Sequence, residues 1–492
     1  MKKFLTLLLA AIMIHANAAA VDLNFDATQG VEKSLICNGR AVNFVAYENI
    51  FYVSEPASEI QKLSVYIPAE YLRGEVINGY SAKTAPIFLP NGVGGYMPGK
   101  ILEPLENDRM SGGANASLVA LSRGLVVISP AIRGRTTTMN GVYVGKAPAL
   151  IVDYKAAVRW IRFNRDRLPA GDVEKIISNG TSAGGALSAA LGATGNAHEF
   201  KTYLEELGAA DERDDIFASS DYCPITNLEN ADAAYEWIFC GENKYFQAMW
   251  QMNPNARAED ANNPVAVKKS SEMTPEEIRV SKILRDAFPK YLNSLNLRDE
   301  TGNLLILDTN GNGSFKNFIK EKYIESAQSA LDSGEDLSGV DWVKIKDNRV
   351  VDVDLKKYPA AVTRMKAAPA FDKLDLSSGE NDEFATESNE PRHFSAVNIY
   401  PTGEFANDGL IALMNPLNFI GRQDVTTAKF FRIRHGTADR DTSLAIPAIL
   451  ALKLQNNGVN VDFFSPWNRG HGGDYDLNEL FDWIDDICKG GA

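Results

Sequence analysis

A serine between two glycines is the first group in this sequence whose surroundings suggest chemistry. Residues 176–188 read IISNGTSAGGALS, in which Gly180, Ser182 and Gly184 form the pattern G-x-S-x-G. A β-branched run precedes the pattern and an alanine-rich stretch follows it, as in a nucleophile elbow, where a strand ends and a helix begins within a few residues. The alternative is a glycine-rich turn with an incidental serine. With 38 glycines in the chain, the pentapeptide alone is weak evidence.

A nucleophilic serine needs an imidazole that accepts its proton. The histidines beyond the first 20 residues are His198, His393, His435 and His471. On a strand–elbow–helix sheet the triad follows the order serine, acid, histidine, with the last two in loops after late strands. His471 lies in PWNRGHGGDYD, between the last predicted strand and the last predicted helix, and it alone fits this order. The alternative for it is an ordinary loop histidine.

The acid is expected in the loop that follows the preceding strand. This loop reads RIRHGTADRDTS and contains Asp439 and Asp441. The triad carboxylate orients the imidazole and stabilises its cationic form. Asp439 is nearer to the strand end, so we assign the acid to it and expect Asp441 to face the substrate. The structural alternative for Asp441 is a helix N-cap.

Two backbone amides are expected to bind the oxyanion that forms when a serine attacks an ester. One is the amide of Ala183, directly after the nucleophile. The second is expected from an earlier glycine-rich loop after a strand. FLPNGVGGYMPG occupies that place, so Gly94 or Gly95 would supply the donor, and we select Gly95. The alternative for this loop is an ordinary glycine turn.

The hydrophobic pattern predicts the elements that carry these loops. We predict strands at 42–53, 62–67, 86–89, 125–129, 175–178, 216–220, 429–434 and 459–464. Helices are predicted within ALIVDYKAAVRWIRFN and at 183–191, 443–455 and 477–488. Residues 223–400 between the two strand-rich parts are polar and helix-rich, with the amphipathic stretches TPEEIRVSKILRDAF and FKNFIKEKYIESAQSAL. The alternation predicts an α/β fold with a mostly parallel central sheet interrupted by an inserted domain.

The N-terminal residues have the pattern of a cleavable signal peptide. Two lysines precede an apolar run from Phe4 to Ile14, and Ala16-Asn17-Ala18 forms a small-residue cleavage site. The run is shorter than the roughly 20 residues that cross a bilayer. Cys37 is the first cysteine, so no lipoprotein cleavage site is expected. We therefore predict a signal peptide at 1–18 and an exported protein, periplasmic or extracellular, without a membrane anchor.

The charge and the cysteine content limit the classes of partner. The formal net charge is −14 and would become −16 on loss of the two signal-peptide lysines, so nucleic acids and anionic membranes are unfavourable partners. The four cysteines are too sparse for a disulfide scaffold. A Cys223–Cys240 bond is left open, as is the oligomeric state.

A calcium-loop pattern begins at Asp308. The stretch DTNGNGSFKNFI resembles an EF-hand loop in its first half, but Ile319 replaces the bidentate glutamate at its end. We therefore predict a tight polar turn there and expect no metal at the serine site.

Five longer stretches carry a resemblance to a known family. They are GYMPG, RGRTTTMNGVYVGKAPALIVDYKAAVRWIRFN, IISNGTSAGGALSAALGATGN, DYCPITNLENADAAYEW and HGTADRDTS. Together they resemble bacterial tannases of the subtype B group, α/β-hydrolase esterases with a large lid inserted late in the sheet. The resemblance implies an α/β-hydrolase core at 19–222 and 401–492 with an inserted lid at 223–400.

The resemblance also implies an activity: hydrolysis of galloyl esters and depsides, a small-molecule substrate class, with release of gallic acid and without a cofactor. The family's triad corresponds to Ser182, Asp439 and His471. Its galloyl-binding lysine, glutamate and aspartate correspond to Lys366, Glu380 and Asp441. Such groups suit phenolic hydroxyls, because a carboxylate accepts a hydrogen bond from the hydroxyl and a lysine can donate one to its oxygen. The alternative for Lys366 and Glu380 is that they are solvated lid charges.

Other hydrolases are less similar to this chain. Fungal tannases and feruloyl esterases place a disulfide across the serine and histidine, where this chain has Thr181 and Gly472. A prolyl-oligopeptidase-like peptidase commonly carries an N-terminal propeller, and the sequence before residue 86 is too short for one. Another carboxylesterase remains the alternative enzyme. A binding module derived from an inactive hydrolase is the non-enzymatic alternative.

Overall fold

The computed structural model of the protein describes residues 20–108, 112–252, 264–400 and 402–490. The expected signal peptide at 1–18 lies outside these ranges. Among the helices of the described residues, none combines the length and the apolar character that crossing a bilayer would require.

Fifteen strands lie in the described ranges. In chain order they are β1 (Val31–Cys37), β2 (Arg40–Phe51), β3 (Lys62–Pro68), β4 (Pro86–Pro90), β5 (Val126–Pro130), β6 (Thr138–Met139), β7 (Val142–Tyr143), β8 (Asp172–Thr181), β9 (Ala218–Tyr222), β10 (Lys244–Met252), β11 (Pro264–Glu272), β12 (Val343–Lys346), β13 (Arg349–Val353), β14 (Phe430–Arg434) and β15 (Asn460–Phe464).

Thirteen α-helices accompany these strands in the same ranges. They are α1 (Ala69–Leu72), α2 (Ala116–Ser122), α3 (Ala149–Phe163), α4 (Ala183–Ala193), α5 (Lys201–Glu206), α6 (Leu228–Phe239), α7 (Pro275–Ser294), α8 (Ser314–Asp332), α9 (Tyr358–Val362), α10 (Gly379–Glu383), α11 (Asp408–Leu413), α12 (Ala445–Gln455) and α13 (Leu477–Lys489). Short 3-10 turns occur at Ala27–Gln29, His198–Phe200 and Pro416–Asn418.

A nine-stranded sheet forms the centre of the molecule, in the order β1-β2-β3-β5-β4-β8-β9-β14-β15. The strands from β5 to β15 pair in parallel, while β1, β2 and β3 pair antiparallel at one side. Every residue of β4, β5 and β9 is buried, as expected for strands covered by helices on both faces. The predicted α/β fold with a mostly parallel central sheet is confirmed.

The residues between β9 and β14 contain helices α6 to α11 and two separate two-stranded sheets, β10–β11 and β12–β13. The two amphipathic stretches of the sequence correspond to α7 and α8. Helix α7 begins at Pro275, where Thr274 and Glu277 form a capping box that satisfies the first backbone amides. The lid boundaries at 223 and 400 stay a prediction.

Candidate active site

Ser182 lies in a strained turn between the end of β8 and the start of α4. Its φ of 62° and ψ of −123° are rare for a residue with a side chain, and such strain costs about 1–3 kcal/mol. A Cβ on Gly180 would lie 2.3 Å from the Gly184 carbonyl oxygen, and one on Gly184 would lie 2.6 Å from the Val93 carbonyl oxygen. Both positions therefore require glycine, which explains the spacing seen in the sequence. The Ser182 amide donates to the Tyr222 carbonyl oxygen at 2.9 Å and so ties the turn to β9.

His471 lies between Ser182 and Asp439. Its Nε2 is 2.7 Å from Ser182 Oγ, and its Nδ1 is 2.8 Å from Asp439 Oδ2. An ionised carboxylate can only accept, so Nδ1–H donates to Asp439 and Nε2 accepts from the serine hydroxyl. The three residues follow β8, β14 and β15, strands whose carboxyl ends lie along the same edge of the sheet. The structure thus brings together the three residues that chain order selected.

The charges of this group stabilise a cationic imidazole. Burial lowers the pKa of His471, but the charge and hydrogen bond of Asp439 outweigh this and hold the pKa well above its ordinary value. Burial raises the pKa of Asp439, yet the charge and hydrogen bond of His471 bring the pKa below the usual range. Asp439 also accepts the backbone amides of Asp441 at 2.8 Å and Thr442 at 3.1 Å. The carboxylate is therefore fixed and ionised.

His435 is a second imidazole beside Asp439, and sequence reasoning set it aside because it precedes the acid. Its Nε2 lies 2.9 Å from Thr442 Oγ1 and 3.4 Å from Asp439 Oδ2. Burial lowers the pKa of His435, so the ring is neutral. His435 therefore contacts the carboxylate without adding a second positive charge.

Cys223 also contacts the site, and the sequence analysis did not select it. The residue follows β9 directly, is fully buried, and has an unusual positive φ of 46°. Its thiol donates to the Gly472 carbonyl oxygen at 3.5 Å, and its Sγ lies within 4.8 Å of ligating atoms of His471 and Asp439. All four cysteines are free thiols, so the Cys223–Cys240 bond left open above is not formed. The one feature of the sequence that could have pointed to Cys223 is its position directly after a strand of the predicted parallel sheet.

The loop that carries His471 is anchored to the sheet by a buried cation. Arg432 on β14 donates to Tyr222 Oη at 2.9 Å and to Asp476 Oδ2 at 2.5 Å, and Tyr222 in turn donates to Asp476. Asn179 on β8 donates to Asp474 Oδ1 at 3.0 Å. Burial raises the pKa of Asp474 to about 6. These contacts hold the segment that follows His471 against the strands that carry the other site residues.

The expected oxyanion donors lie on neighbouring segments. Ala183 is the first residue of α4, and amides in the first turn of a helix lack an intrahelical acceptor. Gly95 lies in the loop after β4, the strand next to β8, and has a positive φ of 54°. Its carbonyl oxygen accepts from Arg135 Nε at 3.0 Å. Tyr96 and Ala183 line one small cavity, so the two segments meet beside the serine.

Lys366 and Asp441 form an ion pair at 2.7 Å between Nζ and Oδ1, each with 18% of its side chain exposed. Burial lowers the pKa of Lys366, but Asp441 and Glu380 raise it above its ordinary value. Burial raises the pKa of Glu380, and the charge of Lys366 opposes that rise. The structure therefore brings the three expected galloyl-binding residues into one charged group. Helix α12 has Leu444 at its N-cap, so Asp441 is not a helix cap.

A buried ion pair positions Lys366. Arg364 and Glu236 are both fully buried, and the Arg364 guanidinium donates to both carboxylate oxygens of Glu236. Ser281 Oγ donates to the same carboxylate at 2.5 Å. Arg364 Nε donates to the Lys366 carbonyl oxygen at 2.5 Å. The Arg364–Glu236 pair therefore holds the backbone of Lys366 in place.

Two places in the described residues carry side chains of the types that ligate metals: the turn at Asp308, and a group of three side chains beside Ser182. Asp308 Oδ1 accepts the amides of Asn310 at 2.8 Å and Asn312 at 2.9 Å, so the carboxylate closes its own turn, as the sequence predicted. Within the described residues, Cys223, Asp439 and His471 form the one group of three ligating side chains that converge.

Known proteins resemble this chain over most of its length. A family model described as BD-FAE matches residues 107–271. The crystal structure of tannase from Lactobacillus plantarum is 45% identical, with a TM-score of 0.89, and the match covers 95% of this chain and 99% of that chain. Tannase from Fusobacterium nucleatum is 47% identical, with a TM-score of 0.88, and the match covers 95% and 100% of the two chains. A search of curated proteins gives no match.

This chain belongs to the bacterial tannase family. The assignment confirms the resemblance seen in the sequence, and with it the α/β-hydrolase fold and the enzyme class, a carboxylic ester hydrolase. A tannin acyl hydrolase in complex with ethyl gallate is also similar, at 45% identity and a TM-score of 0.87 over 95% of this chain and 99% of that chain.

Proposed function

We propose that this tannase-family enzyme hydrolyses galloyl esters and depsides, using Ser182, His471 and Asp439 as its catalytic triad. The observation that carries the proposal is the continuous line of hydrogen bonds from Ser182 Oγ through His471 to Asp439, with Asp441, the partner of Lys366, on the same loop as Asp439. The ethyl gallate complex of a similar enzyme supports the substrate class.

Acylation begins with attack of Ser182 Oγ on the galloyl carbonyl carbon while His471 Nε2 takes the hydroxyl proton. The carbonyl oxygen becomes an oxyanion that accepts from the amides of Ala183 and Gly95. The tetrahedral intermediate collapses as the ester C–O bond breaks, and His471 gives its proton to the leaving alcohol oxygen. Asp439 stabilises the imidazolium between these transfers without being protonated itself.

Deacylation repeats these steps with water. His471 removes a proton from the water, the resulting hydroxide attacks the galloyl-enzyme carbonyl carbon, and the bond between that carbon and Ser182 Oγ breaks. The proton returns to Ser182 Oγ and gallic acid leaves. The lowered pKa of Asp439 and the raised pKa of His471 support this division of roles.

Lys366, Glu380 and Asp441 are proposed to bind the three galloyl hydroxyls. Phenolic hydroxyls donate to the carboxylates of Glu380 and Asp441, and the Lys366 ammonium donates to phenolic oxygens. A site built for specific hydroxyls rejects analogues that lack them by about 10⁴-fold or more, because its buried polar groups are then left unpaired. Gallate esters should therefore react in preference to ferulate and simple acyl esters.

The decisive experiment compares hydrolysis of methyl gallate, methyl ferulate and p-nitrophenyl butyrate. We expect a strong preference for methyl gallate and loss of all three activities in the Ser182→Ala variant. Labelling by a fluorophosphonate should likewise depend on Ser182. Equal or reversed rates on the three esters would reject the galloyl assignment, and ester hydrolysis by Ser182→Ala would reject the triad.

We also propose that the protein is exported after removal of residues 1–18, that its partner is a small-molecule ester, and that residues 223–400 form the lid. The lysines, apolar run and small-residue site of the N-terminal sequence support export. N-terminal sequencing of protein recovered from the periplasm or the medium should begin at Ala19. An unprocessed chain retained inside the cell would contradict this.

A further inference from the structure

The triad shares its space with a thiol that the reaction does not use. Ligating atoms of Cys223, His471 and Asp439 all lie within 4.8 Å of one another. Cys223 reaches the group from the end of β9, whereas Asp439 and His471 follow β14 and β15. A sulfur, a nitrogen and an oxygen atom thus lie close together at the ends of three neighbouring strands.

This donor set matches a soft or borderline divalent cation. Thiolate, imidazole and carboxylate are the usual ligands of Zn²⁺, whereas Mg²⁺ and Ca²⁺ prefer oxygen atoms alone. Bonds of about 2.0–2.3 Å in a tetrahedral shell separate the donors by about 3.3–3.8 Å, so side-chain shifts on the order of 1 Å would close the shell. A thiolate and a carboxylate together balance the charge of the ion.

We propose that Cys223, His471 and Asp439 form an inhibitory binding site for Zn²⁺ and similar soft divalent cations. Binding replaces the Cys223 thiol proton, which passes to solvent, by a sulfur–metal bond. The metal also takes a ring-nitrogen lone pair of His471 and an oxygen of Asp439. No atom is oxidised or reduced, so removal of the ion by a chelator restores the site.

Occupation of this site stops the reaction by geometry alone. If the metal binds His471 Nε2, the ring no longer accepts the proton of Ser182, whose Oγ lies 2.7 Å from that nitrogen. If it binds Nδ1, the ring proton moves from Nδ1 to Nε2, so the hydrogen bond to Asp439 that orients the ring is lost and Nε2 no longer accepts from Ser182. The effect on turnover rests on the proposed triad, whereas the binding itself does not.

The ion can approach from the side of the histidine. The His471 side chain is 21% exposed, while Asp439 and Cys223 lie fully buried behind it.

The first test measures binding without turnover. Chelator-treated Ser182→Ala protein retains all three ligands, so it should bind one tight Zn²⁺ per chain in equilibrium dialysis. Cd²⁺ should give the ultraviolet charge-transfer band of a thiolate bond. Adding Cys223→Ser should remove the band and weaken Zn²⁺ binding by about tenfold or more, since a soft ligand is lost. Adding Cys240→Ser, which removes a thiol away from the triad, should change neither.

The second test measures inhibition, each variant being compared with its own metal-free rate. Zn²⁺ should inhibit the wild-type enzyme and the Cys240→Ser variant alike, EDTA should reverse the effect, and Cys223→Ser should need about tenfold more Zn²⁺ or more. Cys223→Ala serves as a second variant, and circular dichroism verifies that each is folded. Equal Zn²⁺ sensitivity in folded Cys223 variants, or a Cd²⁺ band that survives Cys223→Ser, would overturn the proposal. Ester hydrolysis by Ser182→Ala would instead reject the triad and leave the binding result standing.

Discussion

Lys366 Nζ and Asp441 Oδ1 meet at 2.7 Å, although 75 positions separate the two residues in the chain. Asp441 follows Asp439, the proposed acid, by two positions, so one loop carries both the carboxylate bonded to His471 and the partner of Lys366. Lys366 also lies over the Phe371 ring at 4.1 Å, which offers an aromatic surface beside the charge. The loop after β14 therefore joins the proposed galloyl-binding residues to the proposed catalytic acid.

The first prediction follows from this pair. Lys366→Met should lower kcat/KM for methyl gallate by about 10–100-fold, because a hydrogen bond from a charged group contributes about 1.5–3 kcal/mol. The loss on p-nitrophenyl butyrate should be much smaller, since that ester has no ring hydroxyls. Steady-state kinetics on both esters measures the difference. The matched control is Lys344→Met, which removes an exposed lysine paired with Asp352. Equal losses on both esters would contradict the assigned role.

The second prediction concerns pH and the acid. Only the neutral imidazole accepts a proton, so kcat/KM should rise with pH through the raised pKa of His471. Asp439→Asn removes the charge that raises this pKa, so the acidic limb should move to lower pH. The maximal rate should fall by about 10⁴-fold, because the ring loses its orientation.

The measurement is a pH profile of kcat/KM for both proteins. Asp462→Asn is the control, since Asp462 pairs with Arg434 at 2.6 Å on the neighbouring strand and does not contact His471 in this structure. Its profile should stay close to that of the wild type. An acidic limb that does not move in Asp439→Asn would show that another group controls it.

The third prediction tests the support beneath Lys366. Glu236→Leu should lower the free energy of unfolding by about 3–5 kcal/mol, because it leaves the buried Arg364 charge without a partner. Glu236→Leu with Arg364→Met should recover part of that stability. The double variant should still have a raised KM for methyl gallate, because it lacks the Arg364 guanidinium that donates to the Lys366 carbonyl oxygen.

Denaturant unfolding and ester kinetics measure the two effects separately. Glu48→Leu removes a part-exposed partner of Lys33 and should cost no more than about 1 kcal/mol. If the double variant is as unstable as Glu236→Leu alone, the unpaired charge is not the cause of the loss.

The sequence predicted β4 and β5 to within one residue because these buried strands are nearly continuous apolar runs. It placed β9 at 216–220, two residues early, because this buried strand reads ASSDY and is largely polar. It missed β1, whose residues are mostly exposed at the sheet edge and give no such run. It also missed the β12–β13 hairpin, although Asp347 and Asn348 both have positive φ at the turn, as in tight two-residue hairpins. Edge strands and short hairpins depend on pairing partners more than on their own pattern.

The site residues divide in a similar way. Ser182 and His471 were selected because a motif and a chain order constrain them, and the structure brings them together at 2.7 Å. His435 was set aside because it precedes the acid, although it lies only four positions before Asp439 in the same loop. Cys223 was missed because it follows β9, whereas the Asp439 and His471 beside it follow β14 and β15. A contact between residues that follow different strands produces no fixed spacing in the sequence, so a motif search cannot find it.

The last prediction concerns the turn that exposes the serine. Gly184→Ala adds a Cβ 2.6 Å from both the Val93 carbonyl oxygen and Asn91 Oδ1, so the loop after β4 and helix α4 must move apart. That movement separates the two oxyanion segments, so kcat should fall, and overpacking should cost about 1–3 kcal/mol of unfolding free energy. Gly339→Ala is the control, since its Cβ meets nothing within 4 Å. Thermal unfolding and methyl gallate kinetics measure both effects, and a Gly184→Ala enzyme as stable and active as Gly339→Ala would refute the close approach.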